Sequence, residues 1–236
     1  MKNEMFILRK AFLVLGLLSI VSVAEASPIV LDGDHFTVTY DDALVGLYNQ
    51  GLLSGSLDTV FFQPNAFAAL SGGSTVSTPA SLQLTLTINP GYTFTGFTFT
   101  ERGDYFLFGG GAVDVAASVQ VVNAATSASA LLSLAPGTPL NQTGSSTPWE
   151  LTGSLSSLGL GSPQTLLITL GNELFASASA GGLGFIQKTY AGFQVMTKPV
   201  AVPEPATGAL LLGGVIAALL VGRRRRGAPI HGTRGE

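Results

Sequence analysis

Between residues 27 and 202, hydrophobic and polar positions alternate with a period near two, the spacing of strands that bury one face. The clearest run is Tyr92–Thr100, where Thr and aromatic residues alternate on either side of Gly96. Tyr92 and Phe94 share one parity, Phe97 and Phe99 the other, so a bulge or bend at Gly96 is expected to bring all four rings to one face. Before it, Leu82, Leu84, Leu86 and Ile88 alternate with Gln83, Thr85 and Thr87. Asn89-Pro90-Gly91 between the two runs predicts a hairpin turn. His35–Tyr40, Ala112–Val122 and Trp149–Leu155 repeat the pattern, Gln164–Leu170 is apolar enough for a buried strand, and Phe185–Met196 reads as one strand or as two broken near Gly192. Ser71–Pro79 and Pro136–Pro148 read as turn and loop, and single helical turns fit Ala43–Leu53 or Asn65–Leu70.

Many short strands, glycine-rich turns and no fixed-period repeat predict an all-β ectodomain over 27–195, a β-sandwich or jelly roll. A body of about 175 residues is long enough for one sizeable core. Its charge differs from that of the whole chain. Residues 27–202 hold ten acids and three bases (Arg102, Lys188, Lys198), a net charge of −7 against −3 for the full sequence. That balance argues against nucleic acid as a partner, because phosphates need a basic footprint. There is no cysteine, which removes disulfides, thiol catalysis and thiolate metal sites.

The basic residues sit mostly at the two ends. Lys2, Arg9 and Lys10 precede the apolar run Ala11–Val23, and Ala24-Glu25-Ala26 places small residues where a signal peptidase reads them. Residues 1–26 are therefore expected to be a cleaved signal peptide. At the other end Ala206–Gly222 carries no charge and has the length of a short transmembrane helix. Arg223, Arg224, Arg225 and Arg226 follow it directly, a cluster expected to stay cytoplasmic as a membrane stop. Pro203 and Pro205 fix extended backbone just before the span, after a linker at 196–202. Residues 227–236 form a short cytoplasmic tail in this reading.

Pro203-Glu204-Pro205, the small-residue-containing apolar run and the arginine cluster, in that order, resemble the PEP-CTERM sorting signal over 203–226. The resemblance implies an inner-membrane-anchored precursor. Its tail would be processed near Pro203, Glu204 and Pro205 by the membrane protease-transpeptidase exosortase. It also implies delivery to the cell envelope, cell surface or extracellular space, in a setting of exopolysaccharide and biofilm matrix. Ten residues after the arginines depart from the usual shorter end of such signals.

Within the body no motif names a reaction, and the expectation is a non-catalytic structural or binding domain without cofactor. Asp32-Gly33-Asp34, with Asp41-Asp42 nearby, is the densest acidic stretch and the candidate for a Ca²⁺-dependent adhesion site through Asp32 and Asp34. The competing reading is a solvated turn. Glu101-Arg102-Gly103-Asp104-Tyr105 reads as a turn between two strands, fixed by an ion pair of Arg102 with Glu101 or Asp104. Its Arg-Gly-Asp also matches an adhesion tripeptide. The histidine His35 has no Gly-x-Ser-x-Gly elbow to serve, so a serine triad is not expected. A polysaccharide-acting surface enzyme, the alternative, needs two carboxyl groups facing across a cleft. Trp149, Tyr92 and Tyr105 are either a sugar-stacking platform or core residues.

Overall fold

The computed structural model describes residues 28–201. The expected signal peptide at 1–26, Pro203-Glu204-Pro205, the apolar run and the arginine cluster lie outside the described residues. No helix among those described is long and apolar enough to cross a membrane.

The described chain is an all-β sandwich of two antiparallel sheets. In chain order the strands are β1 (Pro28–Asp32), β2 (Phe36–Asp41), β3 (Gly51–Leu53), β4 (Thr59–Phe62), β5 (Ala68–Ser71), β6 (Thr75–Ile88), β7 (Tyr92–Phe108), β8 (Gly111–Asn123), β9 (Ser129–Leu134), β10 (Thr147–Ser156), β11 (Thr165–Ala178) and β12 (Leu183–Pro199). Two single 3₁₀ turns, Asp42–Leu44 and Gly46–Tyr48, follow β2. Sheet A runs β1-β2-β6-β11-β8-β9; sheet B runs β10-β7-β12-β4-β3, with β5 also paired to β12. The middle strand β11 lies over β12 and β5, while the edges meet as β9 over β10 and β1 over β3.

Alternation builds the core from both sheets. Leu166, Ile168, Leu170 and Leu174 of β11 face inward against Phe97, Phe99, Ile186 and Phe193 of sheet B, all in one buried cluster. Strand β7 keeps its rings inward as the sequence requires. Gly96 takes φ 154° and the ladder to β12 slips between Phe94 and Gly96, leaving Thr95 unpaired. Phe94, Phe97 and Phe99 are all buried and Tyr92 is partly so.

Four boundary readings change. Asn89-Pro90-Gly91 is not a hairpin turn. It carries the chain from sheet A to sheet B, with Tyr92 N–H donating to Asn89 C=O and Asn89 N–H to His35 C=O. Both flanking runs are rich in large apolar residues, and the two sheets bury them against each other. Of the segment Ser71–Pro79 only residues 72–74 are loop; Ser71 ends β5 and β6 begins at Thr75. Pro79 is tolerated because β2 reaches β6 only from Thr85 to Ile88, which leaves Pro79 on an open edge. Asn65–Leu70 holds strand rather than helix, whereas the turns at Asp42–Leu44 and Gly46–Tyr48 fall where helical turns were expected. Finally, β12 is one strand running to Pro199, so the domain takes in the first residues of the expected linker.

Glu101–Tyr105 is likewise strand interior, not a turn. Gly103 faces inward, directly opposite Trp149 of β10. The Trp149 indole lies across it and donates from Nε1 to Gln187 C=O at 3.1 Å. A β-carbon at Gly103 would stand 1.9 Å from that carbonyl oxygen and 2.7 Å from the indole ring. The Arg-Gly-Asp tripeptide is therefore locked in a strand under an indole, not offered on a loop.

Gly103→Ala is expected to destabilise the domain by on the order of 3 kcal/mol through this overpacking. Gly55→Ala, where a β-carbon would meet nothing within 4 Å, is expected to leave stability unchanged. Denaturant unfolding of the two variants beside the parent checks both.

Candidate functional site

Two groupings of polar and aromatic side chains arise from β7 and β12, one inside the sandwich and one on its outer face. They are separated by parity. Glu101 and Arg102 are neighbours on β7 and point to opposite faces. On β12 an extra residue, Thr189, interrupts the ladder between Lys188, paired with Gly103, and Tyr190, paired with Arg102. Lys188 therefore points inward while Tyr190 comes out, and Ala191, Phe193 and Val195 return to the core.

Inside, the Lys188 ammonium lies 2.6 Å from Glu101 Oε1, with both side chains fully buried. Asn172 reaches in from β11 of the opposite sheet. Its Nδ2 donates to Glu101 Oε1 at 2.6 Å and to the Tyr48 hydroxyl at 3.1 Å, and its Oδ1 accepts from Lys188 Nζ. The rings of Phe67 and Tyr48 cover Nζ, with centroids at 4.9 and 5.7 Å. Glu101 Oε2 is buried with no partner among the described residues. Burial pushes the Glu101 carboxyl upward, against the pull of Lys188, and pushes the Lys188 ammonium down to about 8, against the pull of Glu101. Burial likewise raises the Tyr48 phenol.

Outside, the Tyr190 side chain lies over the bare Cα of Gly192, where a β-carbon would stand 2.8 Å from the ring. Phe61 of β4, paired with Gly192, packs beside it with centroids 5.8 Å apart and ring planes 18° apart. The Arg102 guanidinium sits 5.4 Å above the Tyr190 ring, and its Nε donates to Glu150 Oε2 of β10 at 2.8 Å. Hydroxyl pairs Thr98–Ser154 and Thr100–Thr152 extend the polar flank at 3.0 and 3.4 Å. On the far side Gln194 Nε2 donates to Asp58 Oδ2 at 2.8 Å, and Ser54, Ser56 and Thr59 donate to the other oxygen of that carboxylate. Asp58 thus ties the β3–β4 loop to β12. The result is a partly exposed aromatic patch ringed by fixed donors and acceptors. The outer face of sheet A offers instead a groove of about 590 Å³ whose lining includes Thr39, Leu44, Gln83, Thr85 and Leu167.

The residues singled out in the sequence are dispersed. Asp32 accepts from Thr37 Oγ1 at 3.1 Å, while Asp34 lies 3.0 Å from His35 Nε2, so the two carboxylates engage different neighbours. No group of three or more His, Asp or Glu side chains is placed to hold a metal among the described residues. Trp149 and Tyr105 are core residues, and Tyr92 stacks on His35 at 3.8 Å, so these three do not form a platform. Arg102 pairs with Glu150 rather than with Glu101 or Asp104. Ala24, Ala26, Pro203, Glu204, Pro205 and Arg223 to Arg226 lie outside the described residues. Asn172, Tyr48, Phe61 and Tyr190 went unnoticed in the sequence, and Lys188 entered only as one of three bases. The available signal was a lone lysine at Lys188 in phase with Ile186 on a strand of core parity.

No family model and no curated protein matches the chain. Among solved structures, TmCBM61 in complex with β-1,4-galactotriose is similar at 13% identity, covering 72% of this chain and 89% of that one, with a TM-score of 0.25. A structure described under the carbohydrate-binding modules of the β-sandwich superfamily is similar at 11% identity, covering 71% and 86%, with a TM-score of 0.23. The VP2 subviral particle of infectious bursal disease virus is similar at 12% identity, covering 80% and 59%, with a TM-score of 0.30. Likenesses this distant carry no argument about a ligand.

The hydrogen bonds from Ser56 and Gln194 lead in holding the Asp58 carboxyl down, from 3.8 to about 2. A depressed carboxyl stabilises fully above its unfolded value and loses that contribution as pH falls through the folded one. Asp58→Ala is thus expected to destabilise the domain at pH 7, with the difference from the parent shrinking between pH 3.8 and about 2. Denaturant unfolding of both proteins across that range is the check.

Proposed function

We propose that this chain is an exported, PEP-CTERM-sorted protein of the cell envelope or extracellular matrix. Its β-sandwich is a non-catalytic binding or structural module that works against polysaccharide. Signal peptidase cleaves after Ala26, exosortase processes the tail at Pro203-Glu204-Pro205, and the arginine cluster holds the precursor in the inner membrane until then.

The observation that carries the binding reading is the Phe61–Tyr190 patch. Sugar rings present apolar C–H faces between rims of hydroxyls. An aromatic patch flanked by fixed polar groups suits both at once. Arg102, Glu150, Thr100, Thr152 and Gln194 supply donors and acceptors beside the rings, already held by their own bonds. Glu150 is engaged by Arg102, and Glu101 on the neighbouring strand is turned into the core, which favours binding over carboxylate-pair hydrolysis. A net charge of −7 between residues 27 and 202 suits neutral rather than strongly anionic polymers.

Two measurements test the two halves. Intact mass of protein recovered from the native host is expected to show a species beginning at Ser27 and ending near Pro205. Replacing all four arginines with neutral residues is expected to leave unprocessed precursor; unchanged processing and fractionation would remove their role. Separately, Tyr190→Ala is expected to weaken retention on the host's exopolysaccharide by about tenfold, the effect of losing roughly 1.4 kcal/mol of aromatic contact. Equal retention of parent and variant, with both folded by circular dichroism, would count against the patch.

A further inference from the structure

We propose that Lys188 and Asn172 join through an intramolecular isopeptide bond, with Glu101 as proton carrier and ammonia as leaving group, so that the two sheets are clamped covalently.

The three groups already stand in the arrangement such a reaction needs. Lys188 Nζ contacts Asn172 Oδ1, the oxygen bonded to the carbon it would attack. Glu101 Oε1 lies 2.6 Å from Nζ and also 2.6 Å from Asn172 Nδ2. One carboxylate oxygen therefore touches both the nitrogen that must lose protons and the nitrogen that must gain them. Positioning of this kind turns an encounter between two reactants into a single-molecule step. Phe67 and Tyr48 pack over the amine, and Asn172 is 6% exposed, so the groups react away from bulk water.

The protonation state is biased the right way. Burial disfavours the ion pair, lowering the amine and raising the acid, which eases transfer of the proton from Lys188 to the Glu101 oxygen in contact with it. The neutral amine can then use its lone pair, and the protonated acid stands beside the leaving nitrogen.

The bonds balance without a further reactant. Lys188 passes a proton to Glu101, and Nζ adds to Cγ of Asn172, opening the C=O bond. Glu101 delivers its proton to Nδ2 and takes a second from Nζ. The Cγ–Nδ2 bond breaks, the C=O bond re-forms and ammonia departs. One ammonium, one carboxylate and one carboxamide become one amide, one ammonia and one neutral carboxylic acid. No oxidant, metal or nucleotide enters, and no buried charge remains.

Two further observations fit this chemistry. Glu101 Oε2 has no partner among the described residues, which is costly for a purely structural buried carboxylate but less so for a group that ends as a neutral acid. The sequence has no cysteine, so a covalent tie between the sheets must come from other side chains. Asn172 on β11 and Lys188 on β12 belong to opposite sheets, so the bond crosses the core.

Glu173 makes the test direct, because it lies between the two linked residues. The full chain, unfolded and digested with a glutamate-specific protease, is expected to give the fragment ending at Glu173 still joined to the one that follows. The joined mass should equal the two fragments less one ammonia, and fragmentation should place the branch at Asn172 and Lys188. A cyclised asparagine would also lose ammonia but would leave the fragments separate. Glu101→Gln, close in size, is expected to give separate fragments of full mass. Two separate unmodified fragments from the parent would overturn the bond, whatever the variant does. A branch persisting in Glu101→Gln would overturn the role of Glu101.

Discussion

The sandwich depends on the parity of its two longest strands. Side chains on a strand alternate strictly, so one unpaired residue exchanges the faces of everything beyond it. Strands β7 and β12 each carry such a residue, Thr95 and Thr189, and they sit next to each other in the centre of sheet B. The slip at Thr95 keeps Phe94, Phe97 and Phe99 in the core. The slip at Thr189 keeps Lys188 inside while releasing Tyr190 to the surface. Both groupings thus depend on a single extra residue in β12.

What surrounds Lys188 follows from the cost of burying charge. An ammonium and a carboxylate taken out of water each lose several kcal/mol of solvation, which their mutual attraction offsets only with good geometry and further hydrogen bonds. Asn172 supplies those bonds from the opposing sheet, and the aromatic rings of Tyr48 and Phe67 close the remaining space. Tyr48 reaches the cluster because the chain after β2 turns inward through two 3₁₀ turns instead of continuing along the sheet edge. The outer patch has a different basis. It needs a glycine at position 192 so that the Tyr190 ring can lie against the sheet, and a partner at Phe61 to hold it there.

Strand existence was legible in the sequence because period-two alternation is a local property. The bulge at Gly96 was legible too, since four aromatic residues announce their intended face and glycine marks where parity changes. Thr189 gives no such sign: threonine is an ordinary strand residue, and only the pairing with β7 reveals the slip. Partners of polar residues were least visible. Glu101 and Arg102 adjoin in sequence, which made a turn with a local ion pair the natural reading, yet alternation sends them to opposite faces and to partners on different strands. The corner at Asn89-Pro90-Gly91 failed for a similar reason. A turn motif states that the chain reverses, not whether it returns to the same sheet. The acidic stretch at Asp32 and Asp34 was conspicuous, yet its carboxylates engage Thr37 and His35 separately.

The last strand of the domain is also a central one. Strand β12 is held by β7 along one side and by β4 and β5 along the other. A pull on the chain beyond Pro199 therefore runs along the axis of a strand that β7 holds as far as Pro199 and that β4 and β5 hold on the other edge up to Gln194. Its hydrogen bonds lie across the direction of force and share the load, instead of opening one after another from an end. A domain tethered through this strand resists tension by shear along its long ladder with β7.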